Sequence, residues 1–100
     1  MKVRWTEQAF TRLASIEEFV AADSPAAARR LVTRLIRRAG PLARNPYMGR
    51  TVPELLGTEL RELIEGNYRI VYRVRAPMVQ VLTVFEAHRR FPTEDVAGEP

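Results

Sequence analysis

The run from Tyr68 to Arg75 constrains this chain more than any other stretch. Tyr68, Ile70, Tyr72 and Val74 alternate with Arg69, Val71, Arg73 and Arg75, the two-residue period of a strand with one apolar and one cationic face. Turn chemistry brackets it, with Glu65-Gly66-Asn67 before and Ala76-Pro77 after. Strands over 60–64 and 79–86 therefore flank it in an antiparallel sheet. The apolar face of that sheet needs a cover, and the upstream half supplies one.

Thr6 followed by Glu7 starts a helix over about 7–22, whose Ala9, Leu13, Ile16 and Val20 form one stripe. Phe10 and Phe19 leave that stripe on opposite sides, to pack under neighbouring elements or to await a partner. Ser24-Pro25 starts a second helix that runs to about residue 43 or stops earlier at Gly40-Pro41. A turn near Asp23 makes the two an antiparallel hairpin. Lys2-Val3-Arg4-Trp5 reads as a short strand, and 45–57 as a long ordered loop holding Tyr47, Met48, Val52, Leu55 and Leu56. The expected fold is α+β, in the order β-α-α-β-β-β: a helical hairpin laid on an antiparallel sheet, with arginines on the face left uncovered. One domain over 1–96 is expected, with 97–100 a frayed tail.

With 100 residues there is room for one core. The absence of cysteine excludes a disulfide scaffold, a thiolate metal site and a cysteine nucleophile. No apolar run approaches ~18 residues and the first residues lack a signal-peptide core, so nothing directs export or membrane insertion. Arginine makes up 15 of the 16 basic residues, and seven of them fall between Arg29 and Arg50 with no carboxylate among them. Such a block is either a solvated helix face or a surface for nucleic acid or an acidic partner.

Four segments in order, MKVRWTEQAF, GRTVPELL, LRELIEGNYRIVYRV and VLTVFEAHRRFP, resemble the RelE/ParE superfamily of bacterial toxins over about residues 2–92. The resemblance implies the cytoplasmic toxin of a type II toxin–antitoxin pair, neutralised by a small antitoxin in a hetero-oligomer and needing no metal or cofactor. Members divide by mechanism. RelE-like and YoeB-like toxins cleave mRNA on the ribosome, whereas ParE-like, plasmid-stabilisation toxins poison DNA gyrase.

In the nuclease reading, the resemblance assigns Glu54 as general base, Arg69 as the cation on the phosphate and His88 as general acid. Arg89 matches a RelE-like catalytic arginine. The departures are specific: no tyrosine follows His88, Lys2 is the sole lysine, and Asp95 falls about where a late tyrosine would stand. Each candidate also has a plain alternative. Glu54 can pair with Arg50 or Arg61, Arg69 can hold Glu62, His88 can be an exposed polar residue, and Tyr68 and Tyr72 can be core.

The local text fits the ParE-like reading better, and in that reading the toxin breaks no bond. Arg61, Arg69, Arg73, His88, Arg89 and Arg90 are then the expected contacts with gyrase. Phe10, Phe19, Arg30, Arg34 and Arg37 are the expected landing face of an acidic antitoxin segment, with a free sheet edge as the other possible dock. A non-catalytic nucleic-acid-binding module acting through its arginines is a third reading.

Overall fold

The computed structural model describes residues 1–97. The elements run β1 (Lys2–Trp5), α1 (Glu7–Ala21), α2 (Pro25–Ala39), β2 (Arg50–Thr51), β3 (Arg61–Glu65), β4 (Tyr68–Arg75), β5 (Met78–Glu86) and α3 (Glu94–Ala97). The sheet order is β1-β5-β4-β3-β2, with β1 parallel to β5 and every other pair antiparallel. The expected α+β order is therefore present, with the two-residue β2 and the one-turn α3 added to it.

Both helix starts follow the cap chemistry. The Thr6 hydroxyl accepts from the Ala9 N–H at 3.1 Å, and the Ser24 hydroxyl accepts from the Ala27 N–H at 3.1 Å. The Thr6 N–H also donates to the Val81 carbonyl at 3.0 Å, so the joint between β1 and α1 is pinned to the sheet. α2 stops at Ala39 and continues as a 3-10 turn over Gly40–Ala43, since Pro41 has no N–H for an α-helical bond. Leu13, Leu31, Leu35, Ala39 and Leu42 then close over Leu63, Ile70, Tyr72, Val79, Val81 and Val84.

β5 shows how the sheet supplies two cores. Val71 pairs with Thr83 and Tyr72 with Val81, which leaves Leu82 as the extra residue of a β-bulge. The bulge slips the alternation by one. Val79, Val81 and Val84 consequently all face the helices, while Leu82 and Phe85 join Val52, Leu60, Val71 and Phe91 in a second core on the opposite face.

That second core corrects the expectation of an uncovered arginine face. Arg69 and Arg73 are only 7% and 5% exposed. Val52, Leu55 and Leu60 on one side and Phe91 and Val96 on the other pack over this face. The reason is physical: Val71, Leu82 and Phe85 give the face apolar area, each such side chain contributing ~1.5–3 kcal/mol on burial. Carboxylates then neutralise the arginines lying among them. The chain after His88 likewise folds back as α3, where Asp95 is buried and accepts from Arg12, Gln8 and Thr83 at 2.6, 2.9 and 2.8 Å. Of the tail expected to fray, residues 98–100 lie outside the described residues.

The loop ahead of β2 is held by one close approach. The Gly49 N–H donates to the buried Tyr72 hydroxyl at 2.9 Å. A Cβ on Gly49 would stand 2.6 Å from the Glu62 carbonyl oxygen and 2.7 Å from the Tyr72 ring, so no larger residue fits. Tyr72→Phe leaves a buried N–H unpaired, which costs ~1–3 kcal/mol and lowers the melting temperature by ~4–8 °C per kcal/mol. Gly49→Ala should lower it at least as far. A thermal unfolding curve for Gly49→Ala coincident with the wild type would contradict this packing.

Candidate functional site

Three strands and one turn assemble the strongest cluster of charge. Arg50 on β2 is opposite Glu62 on β3, and Ile64 on β3 is opposite Arg69 on β4. Arg50, Glu62 and Arg69 thus lie side by side across the outer face of the sheet. The turn Pro53–Leu55 brings Glu54 over them. Arg69 donates through Nε to Glu62 at 2.8 Å, and through Nη1 and Nη2 to both oxygens of Glu54 at 2.7 and 2.6 Å. Glu62, fully buried, takes Arg50 on its other oxygen at 2.6 Å. Phe85 and Phe91 lie against the guanidinium, their ring centres 5.0 and 5.5 Å from it.

This geometry decides what the cluster can do chemically. A general base needs a lone pair within reach of its proton and a pKa near the working pH. Hydrogen bonding from Arg69, against a smaller opposing effect of burial, lowers the Glu54 pKa to about 2. Glu54 and Glu62 together raise the pKa of Arg69 despite its burial, and they occupy its donor fork. The partner of Glu54 is therefore Arg69 itself, where Arg50 or Arg61 was expected. The expected pair of Arg69 with Glu62 is present.

The other nuclease candidates lie elsewhere. His88 and Arg89 are exposed in the turn that follows β5, and the His88 side chain makes no hydrogen bond or ion pair among the described residues. Glu54 and Arg69 are brought together as a bidentate ion pair. Among the described residues, no three His, Cys, Asp or Glu side chains gather to hold a metal ion, and no helix is long and apolar enough to cross a membrane.

The expected target contacts divide the same way. Arg61 points to the helix side of the sheet, donates to the Gly49 carbonyl at 2.7 Å and stacks on Tyr47 at 5.3 Å. Arg73 is buried, its Nε donating to Gln80 at 2.9 Å, with Glu59 4.0 Å from its Nη1. His88, Arg89 and Arg90 remain exposed. Sequence reasoning missed the Arg12–Asp95 clamp, because nothing local marks one carboxylate of an acidic tail as buried.

The expected antitoxin face resolves into three separate places. Phe10, 54% exposed, packs on Trp5 with ring centres 6.2 Å apart, in an open groove of about 870 Å³ beside β1. Phe19, 73% exposed, lines a groove of about 280 Å³ with Ile16, Tyr68, Phe85, Glu86 and Arg89. Burial and then nearby Glu86 push the Tyr68 phenol up, so it stays protonated. Arg30, Arg34 and Arg37 line a third depression, on the solvent side of α2.

A helical hairpin covering one face of a meander, with a parallel strand added at its edge, is the fold of the RelE/ParE toxins. The chain has a TM-score of 0.75 to a chain of the chromosomal ParDE toxin–antitoxin system from P. aeruginosa, at 23% identity over 88% of this chain and 97% of that one. Against a chain of the toxin–antitoxin complex RelBE2 from Mycobacterium tuberculosis the TM-score is 0.63, at 24% identity over 85% and 95% of the two chains.

Sequence similarity narrows the class. The family model for the ParE toxin of the type II toxin–antitoxin system parDE matches residues 3–91. Toxin Y4kP of Sinorhizobium fredii is 35% identical over 91 residues, 91% of this chain and 93% of that protein. Toxin RelE2 of Caulobacter vibrioides is 35% identical over 89 residues, 88% and 97% of the two. The chain belongs to the ParE toxin family and is a toxin of the type II toxin–antitoxin class.

The depressed pKa of Glu54 sets a pH dependence. A carboxyl held below its ordinary value in the folded state stabilises the fold above about pH 4.5, and that contribution is lost as pH falls toward about 2. The Glu54 side chain is 43% exposed, so solvent screening keeps the contribution small. Acid titration of unfolding free energy should show the wild type losing more than Glu54→Gln between these pH values. Parallel profiles would contradict the Arg69–Glu54 pair.

Proposed function

We propose that this toxin acts by binding DNA gyrase and favouring its DNA-cleaved state, and that it cuts no RNA itself. The observation that carries the reading is the condition of Arg69: its donors are given to Glu54 and Glu62, leaving no free fork for a phosphorane. The same pairing removes Glu54 as a base, since a carboxylate with a pKa of about 2 takes up protons poorly at neutral pH. A poison needs no such chemistry. Differential affinity for the cleaved state over the resealed one is enough to shift the population.

The exposed His88, Arg89 and Arg90 on the turn after β5 are the target contacts. Arg61, Arg69 and Arg73 are instead engaged within the fold, by the Gly49 carbonyl, by Glu54 and Glu62, and by Gln80. The toxin works in the cytoplasm with its target, serves plasmid stabilisation or its chromosomal counterpart, and is silenced in a hetero-oligomer with a small antitoxin. An amphipathic antitoxin segment finds apolar anchors in the Phe10 and Phe19 grooves, with Arg34 and Arg89 to receive its acidic residues.

Expression in bacterial cells tests this directly. Filamentation, DNA-damage signalling and accumulation of cleaved gyrase–DNA complexes are expected while translation continues. The variant Glu54→Gln should keep most of that toxicity. Immediate arrest of translation with cut mRNA, abolished in Glu54→Gln, would establish the ribonuclease reading instead. In the same cells Phe19→Ser should weaken neutralisation by the cognate antitoxin about tenfold, the share of one aromatic anchor; full neutralisation would move the antitoxin off that groove.

A further inference from the structure

The solvent face of α2 concentrates charge that the fold does not use. Arg29, Arg30, Thr33, Arg34 and Arg37 line a shallow trough of about 480 Å³. Helical spacing puts Arg30, Arg34 and Arg37 in one row and Arg29, Thr33 and Arg37 in the next. One carboxylate, Glu65, reaches this side, and it takes Arg34 at 3.0 Å and Arg38 at 3.7 Å. Arg29, Arg30 and Arg37 are exposed and make no side-chain hydrogen bond or ion pair among the described residues. Like charges at three- and four-residue spacing work against a helix. Arg37 recovers something from its place in the last turn, but Arg29 and Arg30 do not.

The lining of the trough discriminates among occupants. It contains no aromatic or aliphatic side chain. A docking peptide takes its affinity from apolar anchors seated in pockets, and the apolar grooves of this protein lie at Trp5–Phe10 and at Phe19–Tyr68. Single-stranded nucleic acid uses aromatic platforms for its bases, and the trough has none. A duplex backbone asks only for donors. Guanidinium forks meet phosphate oxygens bidentately, and a hydroxyl such as that of Thr33 adds a further hydrogen bond.

We therefore propose that the outer face of α2 docks the phosphate backbone of duplex DNA, without reading its sequence. Three unengaged arginines on a rigid two-turn ridge grip the backbone, and Arg34, steadied by Glu65, sits between them. The surface is distinct from the turn after β5, so it holds whether or not gyrase is the target.

The test is binding of the purified chain to a random-sequence DNA duplex, followed by fluorescence anisotropy between about 50 and 200 mM salt, the range over which phosphate binding shows most clearly. Arg29→Gln/Arg30→Gln/Arg37→Gln should bind about tenfold or more weakly at low salt. Its slope of log affinity against log salt should be shallower by about three, near 0.9 for each phosphate that is no longer neutralised. The control Lys2→Gln/Arg4→Gln/Arg44→Gln removes equal charge elsewhere and should keep the wild-type slope. Glutamine matches arginine closely in helix propensity, and coincident thermal unfolding verifies that the triple variant folds. In the unaltered protein, duplex DNA should also protect Arg29, Arg30 and Arg37 from phenylglyoxal. Wild-type affinity in the triple variant, an equal loss in the control, absence of protection, or preference for single-stranded RNA over the duplex would each overturn the proposal.

Discussion

The outer half of this protein depends on one buried guanidinium. Burying a charge costs several kcal/mol unless its partners are placed well, and Arg69 has both Glu54 and Glu62 within 2.8 Å. Arg50 balances the remaining oxygen of Glu62, so two cations and two anions cancel. Phe85 and Phe91 offer their ring faces to the same guanidinium. In this way one residue of β4 joins β2, β3, the turn carrying Glu54 and the segment that returns after β5. Arg69 ties the loop over 52–60 to the sheet through Glu54, and Val52, Leu55 and Leu60 of that loop pack into the second core.

The inner half was legible in the sequence because its signals are local. Alternation over 68–75, the stripe of Ala9 and Leu13, and the caps at Thr6 and Ser24 each act within a few residues, and all are realised. The outer half was not legible, because what buries it is distant. Arginine at every second position of a strand reads as a solvent face until carboxylates meet it, and those of Arg69 stand 7 and 15 residues away. Asp95 is further still, 83 residues from Arg12. Two hints were present: Val71 interrupts the row of arginines, and Leu82 breaks the alternation of β5, where the bulge falls. The family was legible for a different reason, since four segments in order carry more information than any single site. Of the candidate site, Arg69 and Arg73 are buried and engaged inside the fold, which no local signal in the strand announces.

Charge in this chain is consequently of two kinds. Arg12, Arg50, Arg69 and Arg73 are engaged inside the fold by Asp95, Glu62, Glu54 and Gln80. Arg29, Arg30, Arg37, Arg89 and Arg90 face solvent. The formal surplus of +4 therefore understates how strongly the two exposed surfaces, the α2 face and the turn after β5, attract anions. This ParE-family toxin thus takes one set of arginines into its interior and leaves another at its surface.

If Arg69 serves the fold, Arg69→Lys is the decisive variant. Lysine keeps the charge but loses the planar fork that engages two carboxylates at once. Urea unfolding should show a loss of about 3 kcal/mol or more, as for a broken buried pair, with the secondary structure of the folded baseline unchanged. A variant as stable as the wild type that has nonetheless lost its toxicity would contradict the account, since the guanidinium would then be engaged by the target and not by the fold.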